Sequence, residues 1–325
     1  MDFLNMTFPI SGVTTNVLLL PLVSMVISFF TSMGGISGAF LLLPFQVSVL
    51  NYTAPSVSGT NHVFNIVAIP SGVYRYIKEG RMAWPLTWVI IAGTLPGVFI
   101  GYYLRVLYLP DPKAFKLFAG CVLLYIGSRL FQELLGGNKA SSAGANALEE
   151  KFRARAQAIK KEQTSKIAAG FPAEAVVKSI SMSLKKVEYE FWGERFSFNT
   201  PGMFALAFVV GIIGGAYGIG GGAIIAPFCV AFFHLPVYTI AGATLMGTFI
   251  TSVAGALFFS VLPASHGVSP MPDWPLGILF GLGGFIGMYL GAKTQKYVPQ
   301  KVIKVIVGIA ILVLAAKYIA QFLLS

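Results

Sequence analysis

Residues 214–222 read Gly214-Gly215-Ala216-Tyr217-Gly218-Ile219-Gly220-Gly221-Gly222, and they interrupt an apolar run that extends from 201 to 235. A membrane-spanning helix needs about 20 apolar residues, so this run is too long for one span. Glycine is where such a run most readily unwinds, because it lacks a Cβ and tolerates any backbone conformation. An earlier run, 14–50, is broken in the same way by Met33-Gly34-Gly35-Ile36-Ser37-Gly38. Each run is therefore read as a full helix followed by a shorter returning helix, near 39–50 and 223–235. At 1.5 Å per residue the short pieces reach only about 18–20 Å, less than the hydrocarbon core.

Outward from these breaks lie six further apolar segments, near 56–76, 84–105, 114–135, 238–262, 274–293 and 302–324. Across the 325 residues 56% are hydrophobic and 11% are charged. An ordinary soluble domain carries about 25% charged residues, so this chain cannot cover itself with a water-facing surface. That excludes a disordered protein, a disulfide scaffold and a soluble enzyme. Cys121 and Cys229 both sit in apolar runs without CxxC spacing, so neither a metal site nor a disulfide framework is expected. The N-terminus has no basic n-region, and the first apolar segment is expected to stay in the mature protein. No Walker A, Rossmann or metallohydrolase pattern occurs, so neither a cofactor nor a catalytic residue is expected.

The charges that remain are unevenly placed. Residues 137–200 hold 11 of the 23 Lys and Arg residues; the acids elsewhere are Asp2, Glu79, Asp111, Glu133 and Asp273. The short loop 75–81 carries Arg75, Lys78 and Arg81, and the loop 293–304 carries Lys293, Lys296, Lys301 and Lys304. Loops 51–55 and 263–273 have no Lys or Arg. If the two broken runs are hairpins, all the basic loops fall on one side, which the positive-inside rule makes cytoplasmic. Arg105 and Lys113 then lie outside, against the bias. The net charge of +11 is accounted for by such flanking residues, and no nucleic-acid partner is expected.

The two halves repeat each other. At an offset of 183, Gly38 matches Gly221, Pro44 matches Pro227, Phe45 matches Phe228, Gly59 matches Gly242 and Gly72 matches Gly255. At 190, Trp84-Pro85-Leu86 matches Trp274-Pro275-Leu276, and the glycines 93, 97 and 101 match 283, 287 and 291. At 188, Lys116, Gly120 and Arg129 match Lys304, Gly308 and Lys317. Five segments per half is an odd number, so the halves are expected to be inverted relative to each other, the hallmark of secondary transporters. The expected fold is an all-α polytopic membrane protein: a first repeat at 1–136, a cytoplasmic linker at 137–200, and a second repeat at 201–325. Within the linker, Ile180, Leu184, Val187 and Phe191 recur at helical spacing, which predicts an amphipathic helix on the inner leaflet or a plain folded cap.

These matched glycine breaks, each with a proline six residues past its last matched glycine, resemble the sulfite exporter TauE/SafE family of membrane transporters. The Gly-Thr-Asn and Gly-Ala-Thr stretches at 59–61 and 242–244 and the paired Trp-Pro and GxxxGxxxG runs add to the resemblance, which covers roughly 15–135 and 202–322. It implies transport of sulfite, sulfonates and related sulfur or carboxylate anions.

The residues themselves point to an anion site. A helix start at membrane depth presents unpaired backbone N–H groups and a partial positive charge, and two such starts in an inverted repeat approach near the midplane. The candidate substrate-binding residues at the breaks are Gly35, Ser37, Gly38, Gly218, Gly220, Gly221 and Gly222; close helix packing is the competing explanation. In the next helices Asn61 and Asn65 stand one turn apart, as do their repeat partners Thr244 and Thr248. With Thr60 and Thr251 they are read as lining a shared polar cavity, or else as hydrogen bonds between helices. The GxxxGxxxG runs are read as packing. Arg129 and Lys317 are read as snorkelling to the interface. His62 adjoins the polar face and is the proton-coupling candidate, against a neutral, hydrogen-bonded histidine. No carboxylate lies deep in an apolar run, which disfavours a cation as cargo. The expectation is a proton-coupled exporter of small sulfur-containing anions in a prokaryotic cell membrane, with a passive anion channel as the alternative. Its partners are the anion and the lipid bilayer, and a homo-oligomer is left open.

Overall fold

Helix boundaries follow local chemistry. Asn199 and Asp273 each accept a backbone N–H through the side chain, from Gly202 and Leu276, and each is followed by a proline in the first helical turn. These are the two favoured ways to start a helix. The computed structural model describes residues 4–33, 36–134, 176–191, 193–222, 224–263, 269–298 and 300–323.

A small hairpin, β1 (Asn5–Thr7) and β2 (Thr14–Asn16), comes first. Five helices follow: α1 (Leu19–Met33), α2 (Ala39–Ser48), α3 (Ser56–Lys78), α4 (Trp84–Tyr103), which runs on as a π-helical turn over Leu104–Tyr108, and α5 (Pro112–Leu134). A three-stranded antiparallel meander, β3 (Lys178–Met182), β4 (Lys186–Phe191) and β5 (Glu194–Asn199), leads to five more helices. These are α6 (Thr200–Tyr217), α7 (Ile225–Phe233), α8 (Val237–Val261), α9 (Trp274–Thr294), which ends in a 3-10 turn over Gln295–Tyr297, and α10 (Gln300–Leu323). The helices agree with the sequence segments to within a few residues, and α2 and α7 are the short returning pieces; the exception is α1, which at 15 residues is shorter than the full helix expected of the run 14–50, because Thr14–Asn16 is strand β2.

Among the described residues, four helices are long and apolar enough to cross a membrane: α4 with its π-helical turn, α6, α8 and α9. This is a mostly helical protein of the multi-pass membrane type. Helix α3, at 23 residues, has the length but not the hydropathy. It buries Ser56, Ser58, Thr60, Asn61, His62, Asn65 and Ser71 among other helices, where lipid-like composition is not required.

The helix pairing has a regular form. Helix α1 lies along α9 and α6 lies along α4; α9 also packs on α3, and α4 on α8; α3 meets α8, and α5 meets α10. Replacing every helix by the one five places away maps this set of pairs onto itself. The GxxxGxxxG runs make the first two contacts. A Cβ on Gly93 would lie 2.7 Å from the Phe204 carbonyl oxygen, and one on Gly97 2.8 Å from the Ile212 nitrogen. Gly283, Gly287 and Gly291 face the backbone of α1 at Pro21, Met25 and Phe29. Backbones this close admit no side chain, which is the packing role expected for these glycines.

The linker expectation needs correction where it is described. Ile180, Leu184, Val187 and Phe191 fall in strands β3 and β4 and the turn between them, not on an amphipathic helix. Strand β4 alternates with period two: Val187, Tyr189 and Phe191 are buried, while Leu184 is 90% exposed in the turn. Residues 135–175 lie outside the described residues, among them 147–168, where Ala, Lys, Arg, Glu and Gln predict a helix.

The meander also fixes which loops share an end of the bundle. Val177 donates its N–H to the Gly80 carbonyl at 2.9 Å, and the Tyr189 hydroxyl meets Thr239 at the start of α8, also at 2.9 Å. Arg81 donates to Gln295 at 2.7 Å. The basic loop 75–81, the meander and the turn after α9 therefore lie together. At the other end Ser11 of the N-terminal hairpin donates to Asp273 at 2.9 Å, and Asp273 donates its own N–H to Thr60 at 2.9 Å.

Candidate functional site

The two breaks meet at one side chain. Asn65, in the middle of α3, donates through its amide nitrogen to the Ile219 carbonyl in the second break at 3.0 Å, and to the Ser252 hydroxyl of α8 at 3.0 Å. Its amide oxygen accepts from the hydroxyl of Ser37 in the first break. Both amide hydrogens and one acceptor position are engaged, which fixes the orientation of the group. Ser37 in turn accepts the Ala39 N–H at 3.1 Å, so the hydroxyl that reaches Asn65 also starts α2.

The second break is built on glycines that need to be glycines. Gly218 and Gly220 have φ of +85° and +76°, the left-handed region that side chains rarely adopt. Gly218 and Ile219 donate back to the Gly214 carbonyl, each at 2.9 Å, which ends α6. The α-carbon of Gly218 lies against α3: a Cβ there would be 2.5 Å from the Ser58 carbonyl oxygen. A Cβ on Gly220 would be 2.8 Å from the Ser252 hydroxyl, and one on Gly222 2.7 Å from the Thr248 hydroxyl. Gly221 donates its N–H to the Thr251 hydroxyl at 3.0 Å. In the first break Gly38 packs against Ser28 and the Phe64 ring, while Gly34 and Gly35 lie outside the described residues.

The remaining candidate residues divide into two groups. Thr60 is occupied: it bonds Tyr52 at 3.0 Å, the Ser56 carbonyl at 2.9 Å and the N–H of Asp273. Thr244, Thr248 and Thr251 all donate back to carbonyls of their own helix, at Ala241, Thr244 and Gly247. Asn61 differs from all of these. It is fully buried one turn from Asn65, and neither its amide oxygen nor its nitrogen has a partner. Gln46 on α2 and the hydroxyls of Ser28 and Thr31 on α1 are also buried and unpartnered. A buried amide without a partner costs roughly 1–3 kcal/mol, so it calls for something that sits against it. His62 is fully buried, and its ring nitrogens make no hydrogen bond of ordinary geometry; the ring lies against Gly255 and 5.8 Å from the Phe259 ring.

Sequence reasoning passed over Arg105 as a loop charge. The structure buries it completely in the π-helical turn after α4. Its guanidinium donates to the Ser58 hydroxyl at 3.3 Å, the Thr53 carbonyl at 3.1 Å and the Leu109 carbonyl, and it stacks 3.7 Å above the Phe115 ring. Ser58 passes the contact on, donating to the Ala216 carbonyl at 3.1 Å, two residues before the left-handed Gly218. One sequence signal was available: at the 190 offset Arg105 corresponds to Gln295, a polar residue four places after the last glycine of each GxxxGxxxG run.

The family profile described as "Sulfite exporter TauE/SafE" matches residues 20–318, both halves and the segment between them. The chain belongs to the TauE/SafE sulfite exporter family. This TauE/SafE protein is 22% identical over 303 residues to a Bacillus subtilis (strain 168) protein named probable membrane transporter protein YunE, covering 90% of this chain and 94% of the relative. A second relative from the same strain, probable membrane transporter protein YdhB, is 30% identical over 92 residues, 28% of this chain and 35% of that protein. No solved structure matches the TauE/SafE chain significantly. The family reading drawn from the glycine breaks agrees with the profile.

Proposed function

We propose that this protein is a secondary membrane transporter that exports small sulfur-containing anions, such as sulfite, thiosulfate or a sulfonate like sulfoacetate. The observation that carries the reading is the junction at Asn65, where Ser37 of one broken hairpin and Ile219 of the other are held by a single side chain. Broken helices meeting in the interior are how transporters present backbone groups and helix ends to an ion at membrane depth. The family description and the relatives' names as membrane transporters support transport over enzymic chemistry.

The ten helices are taken as two inverted five-helix repeats. The self-mapping pairing supports this, since a two-fold relation between halves requires α1–α9 to accompany α6–α4. The basic loops share one end of the bundle, and the positive-inside rule makes that end cytoplasmic, in a prokaryotic cell membrane. The anion lies between the breaks, against Gly38, Gly220, Gly221 and Gly222, with Asn61 as the side chain that meets it or its water. The unpartnered amide of Asn61 supports that placement. Coupling is to protons, with His62 as the candidate carrier.

Flux from proteoliposomes tests this. With thiosulfate or sulfoacetate inside, efflux should saturate and should accelerate when a proton gradient is imposed. Unsaturated flux indifferent to the gradient would identify a passive anion channel instead.

A further inference from the structure

Among the described residues the two largest fully buried side chains are both arginines, and they stand at opposite ends of the bundle. Arg81, at the basic end, is neutralised. It pairs with Glu79 at 2.6 Å, donates to Gln295, and lies 4.6 Å from the Tyr76 ring. Arg105, at the other end, forms no ion pair with any described carboxylate, and its three hydrogen bonds all go to neutral oxygens. A buried cation without a counter-charge is costly, and an anion at its free edge would offset that cost.

The donors of Arg105 are only partly used. A guanidinium carries five N–H groups; one bond at Nε and one at each terminal nitrogen leave one hydrogen free on each terminal nitrogen. One N–H on each terminal nitrogen of a guanidinium can grip two oxygens on one centre. The Phe115 ring covers one face of the guanidinium plane, so a ligand approaches along the edge. The residue sits in a π-helical turn, an irregularity that recurs at functional sites. Through Ser58 it is one hydrogen bond from the end of α6 and the Gly218 break.

We propose that Arg105 is an oxyanion-recognising residue, which takes a sulfonate, sulfite or carboxylate group of the cargo in a two-point grip at the end of the bundle opposite Arg81. This rests on the reading of the cargo as an anion. The repeat-equivalent position at the other end is the neutral Gln295, which instead donates to the Met33 carbonyl at 2.6 Å and closes the first break. The pair makes the two ends unequal in the interior: one buries a cation without a described counter-charge at this position, and the other buries a neutral amide. A halide offers a single contact point and does not satisfy the fork.

The test uses purified full-length protein at fixed ionic strength, with melting temperature measured against thiosulfate and sulfoacetate concentration. Arg105→Gln should raise the concentration of half-maximal protection about 10–100-fold, the worth of a charge-assisted bond. Arg105→Lys, which keeps the charge but loses the fork, should fall between that variant and wild type. Chloride should not compete in wild type. The control Lys113→Gln removes an exposed cation near the same end and should change nothing. A purely structural role for Arg105 would lower the ligand-free melting temperature and leave the protection curve unmoved; curves within about twofold of wild type in both variants overturn the proposal. If Arg105→Gln does not fold, Arg105→Lys decides alone by the same criterion. Wild-type protein that no oxyanion protects would instead bring down the anion reading itself.

Discussion

The side-chain nitrogen of Asn65 donates to the backbone carbonyl of Ile219 across 3.0 Å, linking the middle of α3 to the turn between α6 and α7. The same amide accepts from Ser37, so neither broken hairpin can shift without releasing it. Asn65→Leu should therefore remove three hydrogen bonds and leave the Ile219 carbonyl buried without a partner. At roughly 1–3 kcal/mol per stranded group, the variant should lose several degrees of melting temperature and nearly all flux. Full flux with unchanged melting would mean that the two breaks are held by something else.

Asn61 predicts the opposite separation of stability from function. Its amide is buried without partners, so Asn61→Leu removes a group that stabilises nothing in the ligand-free protein. Melting temperature should stay level or rise, while thiosulfate binding should weaken about 10–100-fold, the range of a hydrogen bond to a charged group. A drop in melting temperature with affinity preserved would assign Asn61 to packing.

At Gly218 two costs coincide. A left-handed backbone at φ +85° disfavours any side chain by roughly 1–2 kcal/mol, and the added Cβ collides with the Ser58 backbone. Gly218→Ala should reach the membrane in reduced amount and transport poorly. Gly12, also left-handed at φ +68° but with open space around it, is the matched control. Gly12→Ala carries the backbone cost without the collision and should retain flux.

His62 lies against Gly255 and the Phe259 ring, and among the described residues neither ring nitrogen has a carboxylate partner. If it carries the coupled proton, His62→Gln should bind thiosulfate normally, while its flux no longer responds to a pH gradient. Coupled flux in that variant would move the proton to the cargo, and a permanently ionised sulfonate should then travel without one.

Sidedness is open to labelling. With Cys121 and Cys229 replaced, single cysteines at Lys78 and Lys293, both exposed at the basic end, should react with a membrane-impermeant maleimide from the cytoplasmic side. A cysteine at Lys113 should react from the other side. Labelling of positions 78 and 293 from opposite faces would refute the inverted arrangement.

The breaks were legible because glycine has a distinctive reason to occur in an apolar run, and the positions of α2 and α7 followed from them. That Asn61 and Asn65 stand one turn apart on a polar, buried face was also legible, through their shared repeat register. Their division of labour was not, since hydrogen-bond partners depend on which helices arrive alongside. The meander was misread because Val187 and Phe191 are four apart, a spacing that suits both one face of a helix and alternate positions of a strand. Tyr189 between them, buried against Thr239, is what separates the two patterns. Arg105 was obscured by a topology rule that counts charges without asking where their side chains go. Helix α3 shows the converse: its polar residues depress the hydropathy of a segment that is nonetheless enclosed by its neighbours.

The exchange of partners between halves bears on how the chain is made. The glycine face of α4 is covered by α6, and the glycine face of α9 closes over α1. When the ribosome has delivered the first five helices, Gly93, Gly97 and Gly101 still face lipid or a chaperone, and α1, touching only α2 and β2, lacks its main packing partner until the ninth helix emerges. The first half must therefore wait in the bilayer, incomplete, while the linker and the second half are synthesised. Its vulnerable period runs from residue 134 to residue 294 of the 325, about half of translation, and quality control that recognises unsatisfied helix faces has that interval in which to act.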